Sequence, residues 1–333
     1  MRMHRRDFIA AGAASVAAAG SVGIVSEPVR KARIAITLDL EMSAEYPKRG
    51  MTEWNYRKGD LDEATKRYAV EAAQTAKSLG GVIHCFCVGQ VLEHERVDWL
   101  QELAGQGHPI GNHTYDHVYV LATQPQQAQF RFQRAPWLIR GRTAAQLIRD
   151  NIALATEALK ERVNVAADGF RTPGGFHQGL TDRPDVQKML LDLGFRWVSS
   201  KYPTHPIGAP GQAPTDEMYD GIVRAQTQAQ PFVYPSGLIE IPMSPISDVN
   251  AFRTQRWKLE WFLKAVRLGV EWAIQTGGVF DLLAHPSCLV VEDPRFETIK
   301  LVCDLVRRNA DRAEIVGLSA IASSLSSGPA PSR

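Results

Sequence analysis

Residues 32–42 read "ARIAITLDLEM". Apart from Arg33, the residues from Ala32 to Leu38 are small, β-branched or aliphatic, the composition of a buried strand. The strand then finishes in two acids, Asp39 and Glu41, separated by one leucine. On extended backbone alternate residues share a face, so the two carboxylates can point together while Leu40 packs the other way. Acids at the C-terminal tip of a buried strand either cap a neighbouring helix or line a site. The rest of the chain has to decide between them.

Outward from this strand, strand-like and helix-like runs alternate nearly to the end. "GVIHCFCV" (81–88), "HPIGN" (108–112), "ADGFR" (167–171), "FRWVSS" (195–200), "GLIEIPM" (237–243), "VFDLLAH" (279–285) and "AEIVGLS" (313–319) read as strands. Amphipathic stretches such as "LDEATKRYAVEAAQTAKSLG" and "TAAQLIRDNIALATEALKER" lie between them. About seven or eight strands with intervening helices predict an α/β parallel barrel rather than a sandwich. Residues 119–141 and 202–236 are long for connections in a compact domain, which makes them candidate substrate-covering loops or plain surface decoration.

In such a barrel the chemistry collects at the C-terminal ends of the strands. "GNHTYDH" (111–117) follows a strand and spaces His113 and His117 four apart, so one helical turn would place both imidazoles on one face, as metal ligands require. Arg171 in "FRTPGG" and His285 in "LLAHPS" are expected at strand ends as well. Two acids, two paired histidines, an arginine and a lone histidine thus converge on one mouth.

The totals exclude other classes. With 333 residues, 38 Lys and Arg against 36 Asp and Glu, the net charge is only +2, which argues against nucleic acid or an anionic membrane as the main partner. The first residues, "MRMHRRDFIAAGAASVAAAG", pair Arg5 and Arg6 ahead of a weakly apolar Ala/Gly run. This resembles a bacterial twin-arginine export signal over residues 1–25, cleaved near 19–26, and implies a periplasmic or extracellular protein. A catalytic domain over 30–325 and a disordered tail over 326–333 complete the expected organisation. No later stretch is long and apolar enough to span a membrane. Cys85 and Cys87 are badly placed to bond each other. Cys288 and Cys303 could pair in principle, but all four read best as buried core fillers.

The region "GVIHCFCVGQVLEHERVDWLQELAGQGHPIGNHTYDH", with "GFRTPGG" and "FDLLAHP", resembles the polysaccharide deacetylases, the NodB-homology domains of carbohydrate esterase family four, in a variant branch with some allantoinase-like features. The resemblance implies a distorted (β/α)7–8 TIM-like barrel, one divalent metal, commonly zinc, and hydrolysis of an N- or O-acyl group. Carried over by position, it makes His113 and His117 metal ligands, Asp39 the general base and His285 the general acid. Arg171 would hold Asp39 through a bidentate pair. The backbone N–H of Gly174 would face the oxyanion.

Two departures follow. The family's first motif has adjacent aspartates, and here Leu40 separates Asp39 from Glu41. Glu41 is therefore read as the third ligand, with exchanged roles for the two acids, or a damaged metal-free site, as the alternatives. "FRWVSSKYPTH" supplies no acid to tune His285, and Asp281, on the same strand, would sit about 13 Å back from it.

Trp197 and Phe176 could stack on a sugar ring or could equally be core, and core is the favoured reading for Trp197. The implied enzyme is a hydrolase of carbon–nitrogen bonds other than peptide bonds, acting on an acetylated glycan. An allantoinase-type amide hydrolase and a non-catalytic glycan-binding protein are the competing readings.

Overall fold

The computed structural model describes residues 31–326. The expected export signal lies outside them, as does the expected tail apart from Ser326, which ends the last helix. The strands are β1 (Ala32–Leu40), β2 (Ile83–Cys87), β3 (Ile110–Asn112), β4 (Phe170–Phe176), β5 (Trp197–Lys201), β6 (Phe232–Val233), β7 (Ile239–Glu240), β8 (Val279–Ala284) and β9 (Ala313–Ile315).

Along the sheet they run β6-β7-β5-β4-β3-β2-β1-β8, with β9 on β1. Every pairing is parallel except that of β6 with β7. The sheet curls until its two flanks meet. Just past β7, the Ser244 N–H donates to the Asp281 carbonyl at 3.0 Å, and the Asp281 N–H donates to Ser244 Oγ at 3.0 Å. This is the parallel barrel that the alternation predicted, in the distorted (β/α) form that the resemblance implies.

Local signals fix the helices. Asp62 accepts from the Thr65 N–H and starts helix Glu63–Ser78. Thr143 and Gln146 form a capping box at the head of Ala144–Val163. Gly277, at φ 65°, ends Leu259–Thr276 in the left-handed conformation that glycine adopts without strain. Alternation then sorts side chains between the two faces of the sheet. Ile34, Ile36, Leu38 and Leu40 of β1, with Cys85 and Cys87 of β2, join one apolar cluster with Tyr68, Ala72, Ala76, Val266 and Val270 of the covering helices. All four cysteines are buried and free.

Several expected details change. β6 has only two residues, too short to leave a pattern. Residues 119–141 hold three short helical pieces, Pro125–Ala128, Arg131–Arg134 and Pro136–Ile139, and residues 202–236 hold helix Asp216–Ala225 and β6. Residues 202–215 alone remain a long run without helix or strand. Arg171 is the second residue of β4, not its last, because the strand runs on through Pro173, Gly174 and Gly175 to Phe176.

That shift places Arg171 inside the barrel, below the mouth, at 0% exposure. It donates to Asp281 Oδ2 at 2.6 Å, Thr37 Oγ1 at 2.8 Å and Ser199 Oγ at 3.1 Å, and its guanidinium lies 4.6 Å from the Phe86 ring centroid. Its contact with Asp39 is a single one of 3.5 Å. The expected bidentate pair with Asp39 does not form; the short ion pair of Arg171 is a single contact with Asp281, whose other oxygen accepts from Thr37 Oγ1 at 2.8 Å. Removing one charge of such a pair strands the other in the interior. Asp281→Asn is expected to lower unfolding free energy by about 3–5 kcal/mol in urea titrations, and Arg171→Met with Asp281→Leu together should recover most of that loss.

Candidate active site

β1 delivers the two acids. Asp39 faces inward, Leu40 is fully buried in the outer cluster, and a tight turn in which the Glu41 N–H donates to the Asp39 carbonyl (3.0 Å) carries Glu41 over the mouth. The two histidines arrive differently from the sequence expectation. Residues 113–117 form no helical turn, and Thr114 and His117 take left-handed φ values of 58° and 56°. Asn112 Oδ1 accepts from the Thr114 N–H (2.8 Å) and Thr114 Oγ1 from the Val118 N–H (3.0 Å), which pins this loop. The imidazole centroids end 5.1 Å apart.

Three ligand-type atoms converge there. Glu41, His113 and His117 each offer one atom within 4.8 Å of the others, and all three residues are buried. Glu41 Oε2 is 2.7 Å from His117 Nε2 and 3.8 Å from His113 Nε2, yet it receives no well-directed hydrogen bond. His113 Nδ1 lies 3.0 Å from the Arg171 carbonyl, which turns Nε2 toward the carboxylate. A buried carboxylate oxygen without a donor, facing two imidazole nitrogens, fits a divalent cation of the kind bound by His₂-carboxylate sets.

Glu41 Oε1 is held separately by Lys58 Nζ at 3.0 Å. Lys58 is 4% exposed, also donates to the Met42 carbonyl, and left no signal in the sequence because "NYRKGD" reads as a surface turn.

Around this cluster stand the groups expected to move protons. Asp39 Oδ2 is 3.7 Å from His113 Nε2 and 3.9 Å from His285 Nε2. Asp248 orients His285, accepting from its backbone N–H at 2.7 Å and lying 3.0 Å from its Nδ1. The acid missing from "FRWVSSKYPTH" is thus supplied by "MSPISDV", which reaches the site only after β7.

Burial decides much of the protonation. It pushes Asp39 up to about 7, against the pull of Arg171 and His285. Burial also acts to raise Glu41, but His117 and Lys58 outweigh it and hold Glu41 well below the usual carboxylate range. It depresses His113 strongly and His117 less so, leaving both neutral, as ligands must be. His285 resists: burial acts to lower it, but Asp248, with Asp39 and Glu41, raises it above an ordinary histidine.

All of these groups except Asp248 and Arg171 line one cavity of about 360 Å³, with Gly174, Tyr202 and Phe130 in its walls. Gly174 has φ 82°, so glycine is needed there for its backbone, while an added Cβ would meet only Phe176 at 4.0 Å. The two proposed sugar platforms are elsewhere. Trp197 stacks edge-on against His84 and Phe86 and donates to Ser319 at the opposite end of the barrel, because it shares the inner face of β5 with Ser199 but lies one layer lower. Phe176 packs on Tyr119 (5.8 Å) outside the cavity.

A parallel barrel with acids and histidines gathered at its C-terminal mouth is the architecture of a barrel enzyme. Residues 60–196 match the polysaccharide deacetylase family model, so the resemblance read from the motifs holds over that segment. The segment contains His113, His117, Arg171 and Gly174, but Asp39, Glu41, Asp248 and His285 lie outside it. No protein of curated function matches the chain.

Solved structures share the fold. A candidate polysaccharide deacetylase from Mycobacterium smegmatis is 18% identical, with TM-score 0.58 over 91% of this chain and 93% of that one. A probable polysaccharide deacetylase from Pseudomonas aeruginosa PAO1 is 13% identical, with TM-score 0.56 over 87% and 89%. The Puue allantoinase is 12% identical, with TM-score 0.56 over 87% and 89%.

Calorimetric titration with zinc should show about one site per chain. Glu41→Gln and His113→Ala should each weaken it by at least about 100-fold, whereas His285→Ala should leave the stoichiometry intact.

Proposed function

We propose that this chain is a metal-dependent hydrolase, exported by the twin-arginine route, that removes acyl groups, N-acetyl foremost, from a carbohydrate. One observation carries the reading: a donor-free Glu41 oxygen faces two neutral imidazoles, and a carboxylate and an acid-held histidine stand on either side. A divalent ion, zinc for this ligand set, would polarise the acyl carbonyl and acidify a water molecule.

The chain's own residues do the rest. Asp39, kept from full ionisation by burial, takes the proton of the attacking water as a base suited to neutral pH. His285 starts protonated, because Asp248 favours its cationic form, and gives its Nε2 proton to the departing nitrogen. Lys58 and the tight turn at Glu41 keep that carboxylate out of Asp39's role. The Gly174 N–H is proposed to meet the developing oxyanion from the cavity wall. This assignment keeps Glu41 as ligand and Asp39 as base.

Acetate release from N-acetylated oligosaccharides by the zinc-loaded chain tests the proposal, and binding without turnover would favour the glycan-binding alternative. Activity should rise with pH as Asp39 ionises and fall again as His285 loses its proton. His285→Ala should lower kcat by about 10²- to 10⁴-fold. Asp248→Asn removes the carboxylate that raises His285, so the falling limb should move to lower pH.

A further inference from the structure

The cavity wall contains one cation that the chemistry above does not use. Arg253 is half-buried, lines the cavity together with Asp39, Glu41 and His285, and makes no hydrogen bond or ion pair with any described residue. The other cations at the site are matched: Arg171 by Asp281 and Lys58 by Glu41. A guanidinium presents five donors in a planar fork, and here no protein acceptor among the described residues takes any of them, so all are available to a ligand in the cavity.

The backbone aims this residue deliberately. Residues Val249–Thr254 form a π-helix whose N-cap is Asp248, the partner of His285. Such widened turns are rare and concentrate at functional sites. Here Val249 and Arg253, four apart, both reach the cavity. The turn is fixed at its end by the Gln255 N–H donating to the Asn250 carbonyl (3.0 Å), the Gln255 side chain donating to Asn250 Oδ1 (2.7 Å) and the Trp257 N–H donating to the Ala251 carbonyl (2.9 Å). The segment that orients the acid histidine therefore also carries Arg253 to the substrate space.

We infer that Arg253 recognises a carboxylate on the substrate, so that the preferred compound is an acylated amino sugar bearing a carboxylate rather than a neutral one. This rests on the hydrolase reading above and names the substrate class for the same site. Arginine pairs with carboxylates through two parallel hydrogen bonds, stronger than its contacts with hydroxyls. A cavity of about 360 Å³ is at the small end of ligand pockets, suited to one sugar unit and its substituents. In the reaction the water oxygen bonds to the acyl carbon, the C–N bond breaks, and the amine leaves with the His285 proton. The substrate carboxylate is unchanged throughout.

N-acetylmuramic acid and N-acetylglucosamine differ by one carboxylate-bearing ether and form the test pair. Binding to the full zinc-loaded chain is measured by calorimetry, and acetate release is measured in parallel. The acidic sugar should bind about tenfold more tightly or better. That ratio should fall toward one in Arg253→Met and be partly restored in Arg253→Lys. Equal binding of the two sugars, a preference that survives Arg253→Met, or no binding of the acidic sugar would each overturn the inference. Turnover of both sugars at equal rates with equal binding would overturn it and leave the hydrolase reading standing. Arg253-dependent binding without acetate release would do the reverse.

Discussion

The buried pair between Arg171 and Asp281 ties the barrel to its chemistry. One guanidinium reaches β1 through Thr37, β5 through Ser199 and β8 through Asp281, so four strands share one hydrogen-bonded centre. Its own carbonyl orients His113, and its long contact to Asp39 is the main pull against that acid's desolvation. Such a pair is a poor source of net stability, since taking both charges out of water offsets most of their attraction. What it contributes here is position: the floor of the site cannot shift without breaking it.

Above that floor, acids in similar burial are driven apart in character. Asp39 and Glu41 are two residues apart and both nearly excluded from water. One sits beside a distant arginine and rises, while the other sits against a lysine and an imidazole and falls. The leucine between them makes this division possible. Adjacent acids on an extended strand would face opposite ways, whereas spacing by one residue puts both on the inner side and lets the turn at Glu41 separate their surroundings.

Much of this was legible in the sequence, for physical reasons that differ by residue. Strand alternation and the positions of Asp39, His113, His117 and His285 after apolar runs suffice to place them at one mouth. Loop geometry was not legible: His113 and His117 meet through left-handed backbone at Thr114 and His117, where spacing alone suggested a helix. Depth within the barrel was not legible for Arg171, because a one-layer difference depends on where a strand begins, whereas Trp197 takes the core position favoured for it. Lys58 and Asp248 were missed since both come from connections, and only the fold reveals that "NYRKGD" and "MSPISDV" return to the mouth. Phe176, next to Gly174, packs on Tyr119 and is not among the residues that line the cavity.

The strand that carries both acids comes early in the sequence but depends on residues far along it. β1 has β2 on one side and β8 on the other, while β9 pairs with its first residues. The far end of the barrel is stoppered by helix Leu318–Ser326, through the Leu318 N–H on His84 and Ser319 on Trp197. During synthesis, then, β1 must wait with an unpaired edge until the ribosome has delivered β8. Contacts of such long sequence separation slow folding and leave apolar strands open to wrong partners. Until β8 and then helix Leu318–Ser326 arrive, that edge and the far end of the barrel stay open.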